Sequence, residues 1–210
     1  MFKNINKVVK VFVIADFFYN SAFSSFAPTF AIFITSQIVG GSASVAGFAT
    51  AIYWAVKSLC QLPIARFLDR TDGERDEFWV MFVGYFMSGL VPIAYIFARE
   101  PWHLYVIQGV YGFIMAWVVP AWYSIFTRHV DKWRISFEWS LESVFSVGLA
   151  TALAAALGGL MVDKFGFQTL FLFAGLLAIL TSFLLLGLRS SLFERQHQER
   201  VLPERRRQNS

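Results

Sequence analysis

The chain has 210 residues, of which 57% are hydrophobic and only 15% charged, with a formal net charge of +4. Soluble domains carry about 25% charged residues, so this sequence lacks the polar surface of a globular protein, and its apolar runs approach the ~20 residues that cross a bilayer. Cys60 is the only cysteine, which rules out an intrachain disulfide and a cysteine zinc site. His103, His129 and His197 are too scattered to hold a metal. No cofactor is expected either, because the sequence has no Gly-Lys-Ser/Thr phosphate loop. The positive charges flank apolar segments instead of interleaving with polar helices, which points to membrane topology and away from nucleic acid.

In chain order, Lys3, Lys7 and Lys10 precede an apolar run too long for a signal peptide and without a clear cleavage site. It reads as a retained first helix over 8–38, bent near Pro28. Val39-Gly40-Gly41-Ser42 is a turn, with Ser42 or Ser44 as the cap of the second helix over 43–66. A charged hinge from Arg66 to Glu77 leads to a third helix over 78–97. Arg99-Glu100-Pro101 breaks the chain before a fourth over 102–126. A charged loop from Thr127 to Arg134 precedes the fifth, over 136–162, and Asp163-Lys164-Phe165-Gly166 turns back into the sixth, over 167–188. The basic tail over 190–210 reads as disordered. Six helices with short connections make one all-α bundle.

Lysine and arginine test this layout. With six spans, both termini lie on one face, and 15 of the 18 Lys and Arg residues fall on it. Only Arg99 and Lys164 lie opposite, and Lys57 is intramembrane. The positive-inside rule makes both termini cytoplasmic in a plasma or inner membrane. Trp79, Trp102, Trp133 and Trp139 fall near helix ends and fit an interfacial belt.

Asp69-Arg70-Thr71-Asp72-Gly73-Glu74-Arg75 resembles the loop between helices 2 and 3 of the major facilitator superfamily, with Ala65 at its first glycine and one extra residue before Gly73. Gln108-Gly109-Val110-Tyr111-Gly112 resembles the family's helix-4 motif, with Tyr105 in place of its arginine. Gly148, Gly158 and Gly159, followed by Asp163 and Gly166, resemble its helix 5 and the junction with helix 6. Asp69-Arg70-x-x-Gly73 and Asp163-Lys164-x-Gly166 also echo each other after helices 2 and 5. The resemblance implies one half of a twelve-helix transporter, built as a 3+3 inverted repeat. It further implies that Asp69, Arg70, Gly73 and Arg75 form a gating loop; otherwise they form surface pairs worth under about 1 kcal/mol.

Charged groups inside a bilayer cost roughly 2.5–3.5 kcal/mol on insertion scales and need a reason to be there. Asp16 and Asn20 share a face of helix 1, and Lys57 and Gln61 share one of helix 2. An Asp16–Lys57 pair in a cavity is one reading; a hydrated Asp16 and a snorkelling Lys57 is the other. Glu138 is interfacial, and Glu142 is the better buried proton carrier or substrate contact unless Arg128 or Arg134 pairs with it. Gln108 either lines the cavity or bonds a neighbouring helix. Gly109, Gly112, Gly148, Gly158 and Gly159 allow close helix packing.

The function expected is alternating-access transport of a small solute within a lipid bilayer, not enzymatic catalysis. One six-helix bundle cannot rock against itself, so a homodimer or a second six-helix half is expected. The alternative is a six-helix scaffold, a partner-binding subunit or a truncated remnant.

Overall fold

The computed structural model describes residues 5–70 and 74–189, and among these it contains helices and no strands. The expected disordered tail, 190–210, lies outside the described residues, as does Gly73. Helix α1 covers Lys7–Phe26, a 3-10 turn covers Ala27–Thr29, and α2 covers Phe30–Gln37. Pro28 sits in that turn, where its missing N–H and fixed φ interrupt the α-helical ladder. The expected bend is therefore one tight turn. Asn6 caps α1, its Oδ1 accepting from the Val8 N–H at 2.9 Å, and its Nδ2 donates to the His129 carbonyl at 3.3 Å.

Gly40, with φ of +73°, reverses the chain after α2, a conformation that costs glycine nothing and L-residues more. Ser42 then caps α3, Ala43–Leu68, by accepting from the Val45 N–H at 3.2 Å. Helix α4 covers Glu74–Tyr95, with Glu74, Asp76 and Glu77 in its first turn, where their charge favours the positive helix end. Helix α5 covers Pro101–His129, with proline at its tolerated start.

Beyond α5, helical structure is almost unbroken. Helix α6, Ile135–Leu141, passes into a π-helical stretch over Glu142–Leu149 and then into α7, Ala150–Leu185. The expected loop at Asp163–Gly166 is a single non-helical residue: Gly166, with φ 78° and ψ 172°. The two parts of α7 have different neighbours. Before Gly166, Thr151 bonds Ser24 of α1 at 3.0 Å and Gly158 lies against Ser25. After Gly166, Gly175 lies against Gly89 of α4, and Phe183 packs edge-on to Phe82 and Phe86.

Five helical segments are long and apolar enough to cross a membrane: 7–37, 43–68, 74–95, 101–129 and 135–188. Large apolar side chains such as Leu59, Leu62, Leu172 and Leu180 stand on the outer surface. In water such a surface would aggregate; in a bilayer it is already solvated.

Candidate functional site

The bundle interior holds carboxylates that an apolar core would not tolerate unpaired. Asp16, on the third turn of α1, is only 4% exposed. Its two oxygens accept from the Tyr85 hydroxyl of α4 and the Trp122 indole N–H of α5. Three helices thus converge on one carboxylate, and both of its oxygens are satisfied. No ion pair joins Asp16 to Lys57 among the described residues. Lys57 instead places its Nζ 4.6 Å from the Trp54 ring centroid and 5.9 Å from that of Tyr53, a cation–π arrangement.

Glu142, 6% exposed, begins the π-helical stretch. A π-turn inserts one residue and redirects those after it; such turns are rare and frequently lie at functional sites. Here Ser146 Oγ lies 2.7 Å from Glu142 Oε2 and 3.0 Å from the Val13 carbonyl of α1, its single proton serving one acceptor at a time. Through Ser146, Glu142 is tied to the Val13 carbonyl, about one turn of α1 before Asp16. Neither Arg128 nor Arg134 pairs with Glu142 among the described residues. Arg128 bonds Glu77 at 2.6 Å, and Glu138 accepts from the Asp131 N–H at 3.1 Å.

An unbroken series of rings leads away from Asp16. Tyr85 stacks on Tyr19 at 4.1 Å, Tyr19 meets Phe23 at 4.9 Å, Phe23 stacks on Tyr111 at 5.1 Å, and Tyr111 on Tyr53 at 4.8 Å. Tyr19 also donates to Ser88 Oγ at 2.9 Å, and Ser88 donates in turn to the Tyr85 carbonyl at 2.8 Å. The last three rings of the series form one wall of a cavity of about 300 Å³, which Gln108 and Thr50 also line.

Of the residues singled out from sequence, Asp16 and Glu142 are brought together and Gln108 reaches the cavity at the far end of the ring series. Asn20 is half-buried on α1, and Lys57 and Gln61 are half-buried on α3. Asp69 closes α3, its N–H bonding the Ala65 carbonyl at 2.9 Å, and Asp69 and Arg70 are exposed, as is Arg75 in the first turn of α4. A Cβ on Gly112 would come within 2.5 Å of the Tyr53 carbonyl oxygen, and one on Gly158 within 2.6 Å of the Ser25 carbonyl carbon. Gly109, Gly148 and Gly159 have ordinary or open surroundings. Trp139 is half-buried and packs against the core, 4.9 Å from the Phe126 ring, whereas Trp102 and Trp133 are exposed.

Sequence reasoning missed Tyr19, Tyr53, Tyr85, Tyr111, Trp122 and Ser146. A signal for four of them was present. Tyrosines favour membrane interfaces, so tyrosines well inside predicted spans need a polar partner or a cavity.

Converging helices, apolar outer surfaces and a buried polar centre define a multi-pass membrane protein. The sequence matches the family model of the Major Facilitator Superfamily over residues 12–209, and the chain belongs to that family. No curated protein sequence matches it. Its fold is similar to the in meso crystal structure of PepTSo, a POT family transporter, with a TM-score of 0.71 and 12% sequence identity. The match covers 88% of this chain and 37% of that one, so the chain spans about 37% of the length of that transporter.

Proposed function

We propose that this chain forms one six-helix bundle of a transporter that carries a small solute by alternating access, with a second bundle completing the cleft. The observation that carries the reading is an asymmetry in what the helices expose. Beyond its first turn, α4 exposes Trp79, Val83, Met87 and Leu90, and α7 from Leu172 to its end exposes only apolar residues. By contrast, α1, α3 and the helical run before Gly166 carry Asn20, Ser24, Lys57, Gln61, Ser143 and Thr151, all at least partly exposed. Lipid tails offer these groups no hydrogen bonds. A water-filled cleft or a second bundle does.

Six spans and a 3+3 repeat are supported by the helix pairings. Asp16 meets Tyr85 and Tyr19 meets Ser88, so α1 and α4 run in the same direction. Gly89 meets Gly175 and Phe82 meets Phe183, so α7 after Gly166 runs opposite to α4. Val13 meets Ser146 and Ser25 meets Gly158, so the part before Gly166 runs with α1. In a two-fold repeat, α1 against early α7 corresponds to α5 against α3. The second bundle is a second copy or another six-helix half. Both termini lie in the cytoplasm of a plasma or inner membrane, and the loop bearing Asp69, Arg70 and Arg75 biases the inward and outward states.

Sided labelling tests the reading. In a Cys60→Ser background, Asn20→Cys should react with an impermeant maleimide from either face of the membrane, because the cleft opens alternately. Labelling from one face only, or from neither, would favour a scaffold. Native mass spectrometry from lipid nanodiscs should show a dimer or a complex with a second bundle, and a functional monomer would refute that part.

A further inference from the structure

The cavity beyond the ring series is built mainly of aromatic faces. Phe23, Phe26 and Phe30 come from the α1–α2 run, and Tyr53, Tyr95 and Tyr111 from α3, α4 and α5. Its volume of about 300 Å³ sits at the small end of the ~300–1,000 Å³ typical of small-molecule sites. Gln108 is 8% exposed, lines this space, and makes no hydrogen bond among the described residues. Its amide oxygen and nitrogen reach the accessible space of the cavity, where they are free to meet a ligand's polar group. Thr50 contributes little there, since its hydroxyl donates to the Ala46 carbonyl at 3.0 Å.

No charged residue lines the cavity. An ionic ligand there would find no counter-ion among the lining residues. Lys57 lies 5.9 Å from the ring of Tyr53, one of the lining residues, and disfavours a positive ligand further. Resting on the transport reading, and naming its solute class, we propose that this cavity binds a small, uncharged, planar aromatic solute whose amide or hydroxyl group is read by Gln108. The rings supply offset and edge contacts to the solute's plane. The amide supplies one donor and one acceptor, which match a primary amide and discriminate against a bare hydrocarbon.

Three probes of the same shape and different charge test this: benzamide, benzoate and benzamidinium. Binding of each to the full chain in lipid nanodiscs would be measured by titration calorimetry. Benzamide should bind at least tenfold more tightly than either ion. Gln108→Leu should weaken benzamide by about tenfold, which corresponds to roughly 1.4 kcal/mol, and should narrow its advantage over toluene. Thr50→Phe, which places a fourth phenylalanine in the cavity and removes only a local helix bond, should abolish binding. Equal or tighter binding of benzoate or benzamidinium, no binding of benzamide, or benzamide binding unchanged in Thr50→Phe would each overturn the assignment. These readouts require no flux, so their failure would leave the sided-labelling result, and with it the transport reading, standing separately.

Discussion

Gly158 and Gly159 are neighbours in one helix, and the structure predicts opposite outcomes for the same substitution. At Gly158 a methyl group would sit 2.6 Å from the Ser25 carbonyl carbon and 2.9 Å from its Cα. An ordinary carbon–carbon separation is about 3.5 Å, so the shortfall from the carbonyl carbon is roughly 0.9 Å, and the Ser25 carbonyl oxygen lies nearer still. The obstructing atoms are backbone atoms of α1, and no rotamer change relieves them. Helices α1 and α7 must part, which would loosen the Ser24–Thr151 bond and the Ser146 contact with Val13. Overpacking of this kind costs about 1–3 kcal/mol, and an immovable neighbour places Gly158→Ala toward the upper end. Alanine's helix propensity returns roughly 1 kcal/mol, leaving a net loss of about 2 kcal/mol. For a chain of this size that is a fall of roughly 4–8 °C in Tm. Gly159→Ala meets nothing within 4 Å and should be neutral or slightly stabilising. Thermal unfolding in nanodiscs, followed by a thiol-reactive dye on Cys60, would measure both. Equal Tm values for the two variants would refute the α1–α7 approach.

Arg128→Ala strips Glu77, 2% exposed, of its partner at 2.6 Å. Because Arg128 is itself 43% exposed, the loss should be about 1–2 kcal/mol, below that of a fully buried pair. Adding Glu77→Gln should recover part of it in a double-mutant cycle. Asp16→Asn keeps an oxygen for the Trp122 N–H and can turn its NH₂ to the Tyr85 oxygen, leaving only the Tyr85 proton without its acceptor, and should cost about 1 kcal/mol; combining it with Tyr85→Phe should cost less than the sum of the two single changes. Ser146→Ala removes the hydroxyl that serves Glu142 and Val13 and should lower Tm by a few degrees, at roughly 1 kcal/mol. Reporter fusions after residue 210 should be active in the cytoplasm and those at Gly40 outside, and the reverse result would overturn the orientation read from Lys and Arg.

The sequence by itself determined the membrane class, the all-helical architecture and the resemblance to the family. Composition and the length of apolar runs are summed along the chain and need no knowledge of neighbours. The breaks at Pro28 and Gly40 were equally local, since each follows from one residue's permitted backbone angles. Asp16, Gln108 and Glu142 stood out because a polar group within an apolar run is visible at one position. What they do there was decided by tertiary structure. Whether Asp16 meets Lys57 or Tyr85 depends on how helices rotate about their axes, which the weak amphipathicity of lipid-facing helices leaves open. The π-helical stretch at Glu142 shifts the register of every residue after it, and no periodicity in the sequence announces that shift. The distinction between Gly158 and Gly159 likewise rests on which of two adjacent positions faces α1. Only the packed bundle settles it, because contact is made by a face and a sequence records an order.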